Sequence, residues 1–145
     1  MINEGLYSSA SSTWETPPDV FAKLDKEFHF TLDVCASRDN LGLIYFSPEV
    51  NGLAQNWGTS TCFMNPPYGK EINEWVRKAF YASRSGATVV GLLPARTDTM
   101  WFHTYVYPHA DLVFIKRRPK FWDDGEPSKN RAPFPSMVAI WRPKH

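Results

Sequence analysis

A short polar corner, Asn65-Pro66-Pro67-Tyr68, follows directly on the apolar run Thr61-Cys62-Phe63-Met64. Its residue types suit one kind of chemistry. Both prolines fix φ and lack an N–H, so the corner presents carbonyl oxygens with no competing donor. Together with the side-chain oxygen of Asn65, two acceptors can converge on one planar NH₂ group. An exocyclic amine such as that of adenine is a poor nucleophile, because its lone pair is delocalised into the ring. Acceptors on its hydrogens draw the nitrogen toward tetrahedral geometry, and they stabilise the positive charge that develops as a methyl group arrives from a sulfonium donor. Tyr68 would offer an aromatic face to a base extruded from a duplex, a step that costs roughly a few kcal/mol. The plain alternative is a strand-ending turn, since Pro-Pro is a common turn former.

Open α/β sheets bind ligands outside the carboxyl ends of their strands. Besides the proline corner, Asp33-Val34-Cys35-Ala36 and Pro94-Ala95-Arg96-Thr97-Asp98 arrive at such ends. Arg96 and Thr97 could touch an extruded nucleotide; Thr97 or Asp98 could equally cap the helix that starts at Thr99. Lys116, Arg117, Arg118 and Lys120 precede Phe121-Trp122, and Lys129 and Arg131 follow. Basic side chains interleaved with aromatics suit phosphates and stacked bases, although a solvated strand end has the same composition. The four histidines show no metal-ligand spacing, and no Ser-His-Asp arrangement is visible. No metal is expected.

The elements that must position these residues read as follows. Thr16-Pro17-Pro18-Asp19 looks like a helix start, with Thr16 as N-cap and Pro17 in the first helical position. Val20, Phe21, Leu24 and Phe28 then form one apolar stripe. Phe30–Val34 and Leu43–Phe46 are short strands, with turn-rich connections around and after them. Glu71–Ser83 is the strongest helix, because Ile72, Trp75, Val76, Ala79 and Phe80 recur at helical spacing. Thr88–Leu93 is an apolar strand of the kind buried on both faces. A short helix at Thr99–Val106 and strands at Asp111–Lys116, Lys120–Trp122 and Ser136–Trp141 complete the chain. The alternation argues for an α/β sheet of about seven strands, parallel in the middle, with an antiparallel edge and reduced helices.

A chain of 145 residues has room for one core. Residues 1–15 read as a partly ordered N-terminal segment and 16–145 as the domain. With 43% hydrophobic and 21% charged residues, disordered and fibrous classes are excluded. No apolar run approaches the ~20 residues of a membrane span, and Met1–Gly5 begins no signal sequence. Two cysteines give no disulfide framework, which points to a reducing compartment and a cytoplasmic location. The net charge of +1 conceals a split: residues 1–83 carry 6 Lys/Arg against 10 Asp/Glu, and residues 84–145 carry 10 against 5. A basic half suits a polyanionic partner.

The chain resembles the small phage- and prophage-type Dam-like DNA N6-adenine methyltransferases over about Trp14 to Trp141. The likeness rests on Trp14-x-Thr16-Pro17, Thr31-Leu32-Asp33-Val34-Cys35-Ala36, Tyr45-Phe46-Ser47-Pro48-Glu49 and Gly52-Leu53-x-x-x-Trp57. It continues through Phe63–Gly69, Leu93–Thr99 and Ala132-Pro133-Phe134-Pro135-Ser136. The resemblance implies a small Rossmann-like methyltransferase core, S-adenosylmethionine as cofactor and DNA as partner, in the cytoplasm of a phage-infected or lysogenic bacterial host. It implies catalytic roles for Asn65, Pro66, Pro67 and Tyr68, and places Asp33, Cys35, Ala36 and Asn65 along the donor, a helix or turn cap being the alternative for Asp33. Thr16 and Pro17 would close over the methionine carboxylate, and Glu49 would accept from ribose hydroxyls; a plain helix start and a solvent-facing carboxylate are the alternatives. Asn51 stands where Asp would be expected to accept from the donor's adenine amine.

Two further departures are the lack of a Gly-x-Gly run after the first strand and the lack of length for a separate target-recognition domain. Recognition must then be built from loops and edges, and a homodimer would enlarge the DNA-contact surface. Competing readings are a glutamine N5-methyltransferase acting on a protein, a cytosine N4-methyltransferase, which Asn rather than Ser at position 65 disfavours, and a nucleic-acid-binding module without catalysis. RNA stays open as a substrate.

Overall fold

The apolar run Thr88–Pro94 forms the axis of the fold, with six of its seven residues buried. The computed structural model describes residues 14–39 and 41–144, so the expectation of partial order over residues 1–13 lies outside the described residues. The strands are β1 (Trp14–Glu15), β2 (Leu32–Asp33), β3 (Ile44–Tyr45), β4 (Thr61–Met64), β5 (Thr88–Pro94), β6 (Asp111–Phe114), β7 (Trp122–Asp123), β8 (Glu126–Pro127) and β9 (Ser136–Trp141). The α-helices are α1 (Pro18–Phe28) and α2 (Ile72–Arg84).

Six strands make the main sheet in the order β3-β2-β4-β5-β9-β6. The first four run parallel, and β9 lies antiparallel to both β5 and β6. Leaving β2, the chain pairs β3 on one side and then returns to pair β4 on the other. Reversals of this kind open a crevice at the carboxyl ends of the diverging strands. α2 buries Ile72, Trp75, Val76 and Ala79 of the stripe its spacing predicts, with Phe80 half-buried at its edge. α1 turns one face inward through Phe21, which meets Phe63 edge-on at 5.3 Å. No helix among the described residues is long and apolar enough to cross a membrane.

The sheet departs from the expected seven strands. Lys120–Trp122 contributes nothing to it; β7 pairs instead with β1 and β8 in a separate antiparallel ribbon. The cause is local. Asp124 and Gly125 both take positive φ, 51° and 84°, closing a two-residue hairpin of the type that Asp-Gly favours. Trp14 and Glu15 thus belong to the folded body.

The Thr99–Val106 helix is confined largely to a π-helical turn at Phe102–Val106. Helix α1 also begins later than expected. Pro17 occupies the N-cap position and no side chain caps the helix, so the Thr16 hydroxyl is engaged elsewhere.

Candidate active site

The crevice between β2 and β4 is a cleft of about 280 Å³, near the lower end of the ~300–1,000 Å³ common for small-molecule sites. Asp33, Cys35 and Ala36 reach it from the end of β2, and Asn65 and Pro67 from the end of β4. Thr16 enters from the N-terminal strap, and Asn51 and Gly52 from the loop after β3. Gly52 must be glycine: a Cβ there would lie 2.0 Å from the Val34 carbonyl oxygen and 3.0 Å from Trp75 Cη2. That close approach holds the 51–54 turn against the end of β2.

Three groups hold the Asn65 side chain. Its Nδ2 donates to Thr16 Oγ1 at 3.0 Å and to the Trp14 carbonyl at 3.4 Å. Its Oδ1 accepts from the Tyr68 hydroxyl at 3.2 Å, which also lies 3.2 Å from the Leu92 carbonyl. Burial pushes the Tyr68 phenol well above its ordinary pKa, so it remains a donor.

Tyr68 does not present an open face. It is 6% exposed, and Trp14, Phe121 and Phe134 enclose it with ring centroids 6.2, 6.0 and 5.2 Å away. Trp14 itself stacks on Phe121 at 5.2 Å, with 11° between the planes. In this arrangement the expected base-stacking role of Tyr68 gives way to packing and to a hydrogen bond on Asn65.

Asp33 is buried, and burial raises its carboxyl to about 7 against the opposing bond from the Cys35 N–H at 3.1 Å. A buried carboxylate seeks a positive partner. Cys35 is held firmly as a thiol, by burial first and by the Asp33 charge second, so it is unsuited to nucleophilic attack. Across the cleft stands Trp75, whose buried indole Nε1 has no hydrogen-bond partner among the described residues. Phe46 and Pro48 add apolar surface. These walls fit a ligand that combines a flat ring, hydrogen-bond acceptors and positive charge.

Of the other expected residues, the donor contacts Pro17 and Glu49 and the catalytic-corner residue Pro66 do not line the cleft. Pro17 and Pro66 are buried away from the cleft lining. Glu49 is exposed and also outside it; its carboxylate accepts from its own backbone N–H and from Ser47, which hold it below the ordinary range. Asn51 lines the cleft at φ 62°, with Oδ1 accepting from Leu53 N–H at 3.2 Å. Asn tolerates this left-handed conformation, and its oxygen is already partly committed to the turn.

The basic segments converge. Lys116, Arg117, Arg118, Lys120, Lys129 and Arg131 are all exposed, and Arg131 Nη1 donates to the Arg118 carbonyl at 2.7 Å, joining the two stretches. Phe121 is 2% exposed within the aromatic cluster and cannot stack on a nucleic-acid base there. Arg96 and Thr97 are exposed, and the Arg96 guanidinium lies 5.5 Å from the Phe134 ring centroid, beside the same cluster. Thr99, rather than Thr97 or Asp98, caps the following turn by accepting from Phe102 N–H at 3.3 Å.

Sequence reasoning missed Glu15, Phe46, Glu71 and Trp75 as cleft residues. Glu71, at the N-cap of α2, and Trp75, one turn into it, follow directly on the proline corner, a closeness in sequence that could have found them. Trp75 was hidden because the apolar stripe of α2 accounts for it equally well.

Comparison with known proteins adds a family. Residues 5–145 match the family model for DNA N-6-adenine-methyltransferase (Dam). The chain is 30% identical to the DNA N-6-adenine-methyltransferase of Haemophilus phage HP1, over 99% of this chain and 86% of that protein. It is 31% identical to the protein of the same name from Escherichia phage T1, over 71% of this chain and 44% of that protein.

Proposed function

Since the chain belongs to the DNA N-6-adenine-methyltransferase (Dam) family, we propose that it transfers a methyl group from S-adenosylmethionine to N6 of an adenine flipped out of DNA. The observation that carries this reading is the meeting of Asn65 and buried Asp33 in one cleft at the β2–β4 divergence. When bound, the donor supplies an electrophilic methyl group on positively charged sulfur. Asp33 would face its positive charge, Trp75 Nε1 would donate to one of its acceptors, and Phe46 and Pro48 would flank its flat base.

The chain's own part in the reaction is electrostatic. Asn65 Oδ1 keeps a second lone pair beyond the one that accepts from Tyr68. That lone pair and a carbonyl of the Pro66–Pro67 corner accept from the two N6 hydrogens, localising the amine's lone pair and stabilising its growing charge. Tyr68 steadies the acceptor through its hydroxyl. The joined basic segments take the phosphates, which favours DNA over a glutamine side chain of a protein as substrate.

The deciding experiment incubates the protein with isotopically labelled S-adenosylmethionine and unmethylated DNA, then identifies the modified nucleoside by mass. N6-methyladenine is the expected product. Label in cytosine, in protein or nowhere would refute the reading. Asn65→Ala should lower turnover by about 10²-fold or more, as removal of one preorganised transition-state partner does, while donor affinity changes little.

A further inference from the structure

We infer that strand β1 sets which end of the Asn65 amide faces the substrate, with Thr16 as a positioning residue. The inference rests on the reading of Asn65 as the acceptor for the target amine. A carboxamide has a donor end and an acceptor end of nearly the same shape. Activation of an amine needs the oxygen end; the NH₂ end would meet the amine donor to donor.

Thr16 and Tyr68 are hydroxyls and could serve either orientation. The Trp14 backbone carbonyl cannot, because it only accepts. Lying 3.4 Å from Asn65 Nδ2, it would face a second oxygen if the amide turned over. Thr16 Oγ1 supplies the shorter bond, 3.0 Å, that keeps Nδ2 turned toward the strap. Thr16 is itself buried, and its hydroxyl is available because it caps no helix.

The strap is anchored from outside the amide's surroundings. Arg38 Nε and Nη2 donate to Glu15 Oε2 and Oε1 at 2.6 and 3.1 Å. The Gly125 N–H donates to Glu15 Oε1 at 2.9 Å. Trp14 pairs with Asp123, and Glu15 with Trp122. The polarity of a side chain at the end of β4 is therefore fixed by residues some fifty positions earlier in the chain, held in turn by the β7–β8 hairpin.

The test compares Thr16→Val, Thr16→Ser and Arg38→Ala with the wild type, measuring kcat at saturating donor and the Kd of S-adenosylhomocysteine. Thr16→Val should lower kcat about tenfold or more with Kd within about twofold, and Thr16→Ser should recover most of that activity, as expected for a group acting on the transition state alone. Arg38→Ala, which loosens the strap through Glu15, should lower kcat about threefold. In nitrogen-15 spectra the Asn65 side-chain NH₂ hydrogens should exchange faster with solvent in Thr16→Val.

Unchanged kcat in Thr16→Val overturns the inference. So does an effect confined to Kd, which would make Thr16 a donor contact, or equal exchange of the Asn65 hydrogens in both proteins. Wild-type protein that leaves adenine unmethylated ends the functional reading itself, and this inference with it. Active wild type with an equally active Thr16→Val ends the role of Thr16 alone.

Discussion

The Cys35 N–H donates to Asp33 Oδ1 at 3.1 Å, yet the carboxyl it serves is held at about 7 because burial outweighs that bond. The pKa is raised on folding, so the folded chain binds the extra proton between about 4, the ordinary value, and about 7. Stability from this group is fully present below the lower value and lost as pH rises through the upper one. Asp33→Asn cannot ionise. Its thermal midpoint, measured without ligand, should exceed that of the wild type at pH 8, and the gap should narrow toward pH 4. A gap that is constant across this range would contradict the assignment.

A cationic ligand reverses the balance at the same residue. Positive charge beside Asp33 favours the carboxylate, so donor binding below pH 7 should release a proton. Calorimetry at pH 6 in buffers of different ionisation enthalpy should detect that release in the wild type and show none in Asp33→Asn. Donor affinity should accordingly rise from pH 5.5 to 7.5 in the wild type and stay flat in the variant.

Tyr68→Phe separates two roles for this ring. A stacking platform would tolerate the change, because phenylalanine retains the face. The hydroxyl has one proton and two acceptors within reach, Asn65 Oδ1 and the Leu92 carbonyl, each at 3.2 Å. Its removal should lower kcat by about 3–10-fold, the equivalent of one hydrogen bond of about 1 kcal/mol. A silent Tyr68→Phe in steady-state methylation assays would return Tyr68 to stacking.

Much of the framework could be read from residue spacing. The α2 stripe, the apolar runs of β4 and β5, and the Ser136–Trp141 strand all reflect burial, which periodicity reports directly. Asn65, Asp33 and the cleft between them followed from strands ending in polar corners. What escaped were choices made by long-range partners. The Thr16 hydroxyl, locally a helix cap, is taken by Asn65 across 49 positions, and Tyr68 is enclosed by rings from three separate segments. The β7–β8 hairpin is different, because its Asp124-Gly125 signal was present and local. Its pairing with Trp14 and Glu15 was not.

The basic segments make a prediction about salt. Removing one phosphate-neutralising side chain should reduce the slope of log K against log salt by about 0.9 on duplex DNA. Arg117→Ala combined with Arg118→Ala leaves the backbone link to Arg131 in place, since that bond uses the Arg118 carbonyl. The double variant should therefore bind duplex DNA with a shallower slope while retaining donor affinity. An unchanged slope in a fluorescence-anisotropy titration from low to high salt would place the phosphate-binding groups elsewhere.

Gly52→Ala tests the cleft wall without touching a polar group. The added methyl would lie 2.0 Å from the Val34 carbonyl oxygen, which is backbone and has little room to yield. Relief requires the 51–54 turn to move away from β2, taking with it the carbonyl that accepts from Trp57 Nε1 at 2.9 Å. Val34 adjoins Asp33, and Trp75 crowds the same methyl at 3.0 Å, so the displacement widens the Asp33 side of the cleft and leaves the Asn65–Thr16 side in place. Donor affinity should fall by about tenfold or more, and the thermal midpoint should drop by several degrees, as strain of about 1–3 kcal/mol implies for a domain of this size. Methyl-donor binding and stability at wild-type levels in Gly52→Ala would show that the donor does not depend on the closeness of this turn.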